Sequence, residues 1–323
     1  MPAPEPFESF GDVAELAEGL ASPDASVRRL AVIELAETAS FEAAGHLVSA
    51  VSDGAAEVRL QAVRALADFT GLEVVRALLR GLLDPDREVA SAAADSLSDI
   101  RDPEAAELLL PLAPHPSAMV REAVFRALKA LRVAAALGPA VAALADDNAR
   151  VRVQAVGVIG YLKMIETLPS LIGAARDADP SVRLAAVNAF SFARNAAAAQ
   201  AASEALADSE WQVRAEAAEA IGRIGQHASS SAVVGVLRDP YWQVRQKAVQ
   251  SLGKLKARDA VPDIVAVLDD ELASLRKEAA AALGDIADIS ARDALAARVA
   301  DPDPDVRKTI AWALGRIGAD TSP

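Results

Sequence analysis

A Val-Arg dipeptide recurs along the chain at Val27-Arg28, Val58-Arg59, Val120-Arg121, Val151-Arg152, Val182-Arg183, Val213-Arg214, Val244-Arg245 and Val306-Arg307. Two degenerate copies, Val89-Ala90 and Leu275-Arg276, fill the gaps. The step is 31 residues throughout, so ten copies follow one another without an insertion. A fixed period of this length is the mark of a repeat architecture. With the Val as position 0, position +4 reads Ala31, Ala62, Ala93, Val124, Ala155, Ala186, Ala217, Ala248, Ala279 and Ile310. Position +5 is apolar in every copy, and +8 is Leu, Ile or Phe in all ten. Positions 0, +4, +8 and +11 share one face of a 3.6-residue helix, so each Val opens a buried stripe. Gly at +9 (Gly160, Gly222, Gly253, Gly284, Gly315) lets neighbouring backbones approach near the helix end. A second apolar segment precedes each turn, such as Val233, Val234, Val236 and Leu237. Each unit therefore reads helix, tight turn, helix.

Position −5 marks the turn. It reads Ser22, Asp53, Asp84, His115, Asp146, Asp177, Asp208, Asp239, Asp270 and Asp301, often followed by Pro. A carboxylate there can accept backbone N–H bonds at the coming helix N-terminus and favours its dipole. Arg at +1 is within reach of an Asp of its own or of an adjacent repeat. An anion or metal site would not recur identically in ten units, so the Asp/Arg ladder reads as a stacking clamp.

Composition agrees with helix throughout. Apolar residues make up 52% of the 323 but aromatics only 4%, so small aliphatics fill the interior. Cysteine is absent, which excludes a disulfide framework, thiolate metal sites and a Cys nucleophile. Net charge is −13, which argues against nucleic acid or an anionic membrane as a partner. The sequence shows neither a targeting segment nor an uncharged run long enough to span a bilayer, so the expected location is cytoplasmic. Length alone would suit two or three domains. The unbroken period instead predicts one continuous array over residues 1–318 and a disordered tail at 319–323.

The run Asp239-Pro240-Tyr241-Trp242-Gln243-Val244-Arg245, with Ala248, Leu252-Gly253 and Leu255, resembles the HEAT repeats. The resemblance is to the short, regular subfamily named after the phycobilisome lyases. It implies an all-α, right-handed α-solenoid of about ten helix-turn-helix units. The first helix of each pair would lie on the convex side and the second on the concave side. Such repeats serve lyases, chaperones and adaptors alike, so the resemblance specifies fold and leaves function open.

Catalytic signatures are lacking. His46, His115 and His227 fall in different repeat positions and cannot converge on one metal, and the next residues, Leu47, Pro116 and Ala228, exclude the His-Glu dipeptides of HEAT-fold hydroxylases. His115 replaces the turn Asp. There is no Gly-rich phosphate loop and no nucleophile elbow. No cofactor or metal is expected.

Information then lies where copies differ. Positions +2, +3, +6 and +10 face away from the core stripe. Repeats 1–3 place Glu34, Glu37, Asp68, Asp95 and Asp99 at +6, +7 and +10. Repeats 5 and 6 carry Val153, Gly157, Val158, Tyr161, Leu184, Asn188 and Phe192. Later repeats are mixed to basic, with Arg223, Lys247, Lys254, Lys277, Lys308 and Arg316. The net charge sits in residues 1–110, which hold 8 Lys+Arg and 21 Asp+Glu. That region is a candidate dock for a basic segment. The apolar set in repeats 5 and 6 is a candidate partner patch, with Gly157 leaving a depression between Tyr161 and Phe192. Trp211 and Trp242 share position −2 and form a candidate edge beside Tyr241, and Trp312 is expected on the face of the terminal helix. The reading that follows is a non-catalytic protein-binding scaffold, adaptor or assembly/maturation factor that holds a protein or peptide in its expected concave groove. The alternative implied by the resemblance is a phycobilin-lyase-like enzyme or enzyme subunit handling a tetrapyrrole or other prosthetic group.

Overall fold

The computed structural model describes residues 13–319. Met1–Asp12 and residues 320–323 of the expected tail lie outside the described residues. The described chain is an α-solenoid of paired helices and has no strand. It divides into two compact units, Met1–Val158 and Ile159–Pro323. In the first, the second helices of repeats 1–4 are Ala25–Glu37, Ala56–Ala65, Arg87–Ser98 and Ala118–Leu131. In the second, those of repeats 6–10 are Pro180–Ala189, Trp211–Ile224, Trp242–Leu255, Ala273–Ile286 and Pro304–Ala319. The second helix of repeat 5, Ala149–Leu162, holds the division point. First helices are often shorter and entered through a 3-10 turn, as at Arg258–Ala260 before Val261–Val267, where Pro262 suits the first helical turn.

The buried set follows the period. Val58, Val182 and Val244 at position 0, Ala62, Ala186 and Ala248 at +4, and Leu66, Phe190 and Leu252 at +8 are fully buried. A further contact is built from small residues. Gly222, Gly253 and Gly284 at +9 each lie against position +7 of the next second helix, at Ser251, Ala282 and Ala313. A Cβ on Gly253 would stand 3.0 Å from the Ala282 Cα, so no larger residue fits without moving a helix.

The turn aspartates have two jobs. Each accepts the N–H two residues on, as Asp53 does from Ala55 and Asp84 from Asp86, both at 2.8 Å. This bends the chain toward the following helix. Six of them also receive the fork of the Arg at +1 of the preceding repeat. Arg28–Asp53, Arg59–Asp84, Arg121–Asp146, Arg183–Asp208, Arg214–Asp239 and Arg276–Asp301 are bidentate at 2.6–3.0 Å. The remaining Nη1 of each Arg turns back to carbonyls of its own turn, as Arg214 does to Asp208 at 2.9 Å. One guanidinium thus ties two turns together. The rung Arg245–Asp270 is looser, a single approach of 3.2 Å with the Arg245 Nε buried and unpartnered.

The carboxyls report the same geometry. The Arg28 hydrogen bond holds Asp53 below the ordinary carboxylate range against the opposing effect of burial, and Arg59 does the same for Asp84. At Asp239 burial works upward, and the Arg214 hydrogen bond with the Tyr241 amide outweighs it, so the net shift is down.

Candidate protein-binding surface

The ladder consumes the most regular charges, so candidate binding chemistry rests on the other exposed positions of the second helices. In the first unit, Glu37, Asp68, Asp95 and Asp99 are exposed, and Glu34 is half-buried. Asp95 pairs with Arg126 one repeat on at 3.0 Å, and Asp99 with Arg101 at 3.7 Å. A polar cleft of about 460 Å³ opens here, lined by Arg64, Glu88, Ser91, Asp95 and Ser96 among others. The acidic face is therefore partly neutralised, most at repeat 3.

Of the apolar set expected in repeats 5 and 6, Val153 and Gly157 are half-buried members of the first unit, and Val158 is 2% exposed. Val158 is a correction. It occupies position +7, the small-residue position that faces a neighbouring helix, and so lies inside rather than on the surface. Gly157 is a correction of another kind, because the expected depression is filled. The Lys129 stem lies across it, such that a Cβ there would sit 2.8 Å from the Lys129 Cδ. The Lys129 amine reaches Gln154 Oε1 at 3.0 Å, and burial lowers its pKa.

In the second unit Tyr161 is half-exposed, and Leu184 and Phe192 are half-buried. Phe192 ends a 3-10 turn anchored by the fully buried Phe190. Asn188 is exposed and donates to Glu216 Oε1 at 2.8 Å. Glu216 also takes the Arg223 guanidinium, and Lys247 pairs with Glu219 at 2.6 Å, holding that carboxyl below its ordinary range. In the expected mixed-to-basic stretch, Arg223 and Lys247 are thus paired with carboxylates of repeat 7.

Trp211 and Trp242 do not stack on each other. Trp211 stacks on Tyr241 of the next turn, with centroids 5.5 Å apart and planes 14° from parallel, and the Arg214 guanidinium lies 5.8 Å from the same Tyr ring. Trp242 stays 43% exposed and lines a cleft of about 400 Å³ with Pro240, Arg245, Asp269, Asp270 and Leu272. Trp312 lays its ring on the backbone of Gly284 and remains 45% exposed. Sequence reasoning missed the roles of Tyr241, Lys129 and Glu216. A usable signal existed for Lys129, since a long residue at +9 is answered by glycine at +6 of the next copy, and Gly284 with Trp312 shows the converse.

No group of His, Asp or Glu able to hold a metal occurs among the described residues, and no described helix is long and apolar enough to cross a membrane. The HEAT-repeat family matches at residues 13–98, 75–147, 138–222, 200–284 and 261–323. The chain belongs to the HEAT-repeat family. No curated protein matches it. Among solved structures, an engineered protein is similar at 21% identity with a TM-score of 0.54, over 95% of this chain and 98% of the other. Kap95p in a structure with RanGDP is similar at 14% identity and TM-score 0.64, and a Kap95:Nup1 complex at 13% and 0.65, each over 96% of this chain. This HEAT-repeat chain spans about half the length of those partners' Kap95 chains, 50% and 51%. At such identities the likeness is one of fold.

Proposed function

We propose that this HEAT-repeat protein is a non-catalytic scaffold, adaptor or assembly factor that holds a protein or peptide against the exposed faces of its second helices. One observation carries this reading. The repeated polar residues close on one another in rungs, while the large apolar side chains left exposed, such as Tyr161 and Trp242, lie outside those rungs. A repeat array that spends its recurrent chemistry on stacking offers its variable surface for recognition. The Kap95 structures with RanGDP and with Nup1 support the use of this fold for holding proteins. The 31-residue period supports placing the repeats with the short, phycobilisome-lyase-type subfamily. The acidic positions Glu37 and Asp68 suit a basic segment on the partner, and the cytoplasm is the expected compartment.

The test is affinity purification of the full chain from its source cell, followed by calorimetry with the retained polypeptide. Trp242→Ala and the pair Tyr161→Ala with Phe192→Ala should each weaken binding by about 2 kcal/mol or more with little change in Tm. A retained pigment without a polypeptide, or unchanged affinity in both folded variants, overturns the reading.

A further inference from the structure

The turn of repeat 9 is built from the same parts as the turn before it but closes less tightly. Asp239 takes both arms of the Arg214 fork at 2.7 and 3.0 Å, and its side chain is 5% exposed. Asp270 meets Arg245 through one oxygen at 3.2 Å and is 17% exposed. Its other oxygen accepts the Leu272 N–H at 2.9 Å, so the local bend is intact. Arg245 turns its Nη1 to the Asp239 carbonyl at 3.0 Å, while its Nε is buried without a partner. The Asp270 carboxylate is therefore only half used by its rung.

Two clefts border this rung. One, of about 400 Å³, holds Trp242. The other, of about 430 Å³, reaches Val234, Arg238, Asp263 and Val267. Both are lined by Pro240, Arg245, Asp269 and Asp270. The Trp242 ring is open to the first cleft. Trp211 has Tyr241 stacked on it, but the residue 31 positions after Tyr241 is Leu272, and among the described residues no ring or cation lies on Trp242. Asp269, Asp270 and Glu271 also line this cleft. Arg298 takes Asp269 through both oxygens, at 2.9 and 2.6 Å. The Glu271 carboxylate is exposed and meets no cation among the described residues. Three carboxylates are thus served by two guanidinium groups, and the excess lies beside the open indole.

We propose that this cleft seats an arginine side chain of a protein partner, with its guanidinium plane on Trp242 and its donors on Asp270 and Glu271. The inference rests on the protein-binding reading above and names the residue recognised at one point of that surface. The chain itself contains the pattern. The Arg214 guanidinium lies 5.8 Å from the Tyr241 ring centroid while its fork grips Asp239. The Trp242 cleft offers an aromatic face and a half-used turn carboxylate without such an arginine. Indole is the strongest of the aromatic faces for a cation. Arginine fits better than lysine, because one planar fork both stacks on a ring and takes a carboxylate through two bonds. An acidic occupant would meet Asp270 and Glu271 as like charges.

The experiment titrates the full chain with N-acetyl-arginine amide and follows the indole N–H resonances of Trp211, Trp242 and Trp312, assigned by changing each in turn to Phe. The Trp242 resonance should shift saturably. The lysine amide should bind about threefold or more weakly by comparison, and the uncharged citrulline amide should not saturate. Glu271→Gln should weaken arginine-amide binding by about twofold to fivefold with Tm unchanged. An unmoved Trp242 resonance overturns the proposal, as does an equal response to the citrulline amide. Saturation by N-acetyl-phenylalanine amide in place of the arginine amide assigns the cleft to an aromatic side chain and equally overturns it. The two readings fail separately. A purified polypeptide partner whose affinity depends on Tyr161 and Phe192 but ignores Trp242→Ala leaves the scaffold standing and removes the arginine site.

Discussion

Two turns of the same design differ in one respect. Between repeats 7 and 8, Asp239 accepts the Tyr241 N–H at 2.9 Å and the Arg214 fork at 2.7 and 3.0 Å. Between repeats 3 and 4, His115 stands at the Asp position and Ala90 at the Arg position. His115 Nδ1 still accepts the Ser117 N–H at 3.2 Å, so the local bend survives. The inter-repeat bond is gone, and both of its halves are gone together. Ser22 repeats the lesson in the first copy, where its Oγ accepts the Asp24 N–H at 3.2 Å in the place of an aspartate. Copies that look degenerate in sequence thus keep the local job of the residue and drop only the paired one. A buried half-rung would be costly, since an uncompensated charge stabilises less than no charge at all.

The largest effect should not distinguish the two regions. Leu97→Ala beside the missing rung and Ile221→Ala beside a complete one should each cost about 2–5 kcal/mol in urea unfolding, because both side chains are fully buried. A large disparity between them would mean that the rung, not the core, sets local packing. Next comes the rung itself. Arg214→Ala should cost about 1–3 kcal/mol by stranding Asp239, and adding Asp239→Ser should recover part of that loss. A double variant no better than the single would break the two-job account.

The converse change sharpens the comparison. Ala90→Arg with His115→Asp should add about 0.5–1.5 kcal/mol, with neither single change stabilising, measured as a shift in denaturation midpoint at constant slope. Acid provides a related test. Carboxyls such as Asp53, Asp84 and Asp208 are held below their unfolded value of about 3.9. Their contribution is complete above that value and is lost as the pH falls through their lower folded values. The Ala90→Arg, His115→Asp chain should therefore lose stability more steeply than wild type below about pH 4. The smallest effect concerns helix ends. Repeat 7 turns through Gly225 at φ 77°, whereas repeat 8 does so through Lys256 at φ 51°. Lys256→Gly should stabilise by about 0.5–1 kcal/mol by relieving a left-handed side chain. A loss of stability would show that the Lys256 stem makes contacts worth more than that relief.

Much of this was legible in the sequence. The 31-residue period gave the helix pairs, the buried face and the turn chemistry, because each depends on residues close in the chain. Whether Arg214 meets Asp208 or Asp239 was not legible, since both lie within reach of the fork and only the stacking of repeats chooses between them. Val158 was misplaced for a related reason. A solenoid helix is covered by its own partner and by neighbours on both sides, so its buried arc is wider than the stripe of a single amphipathic face. The filling of Gly157 by Lys129 and the pairing of Asp95 with Arg126 likewise join residues about one repeat apart.

The rungs also bear on how such a gene can change length. Each full repeat brings an Asp for the copy before it and an Arg for the copy after it. Excising residues 208–238 would set Asp239 25 positions after Arg183, the spacing of an existing rung, and the join would carry no stranded charge. Duplicating the same segment closes equally well. Unequal recombination in whole 31-residue steps is therefore tolerated electrostatically wherever both halves are present. Cutting between Ala90 and His115 would break that symmetry, leaving an arginine or an aspartate without its mate.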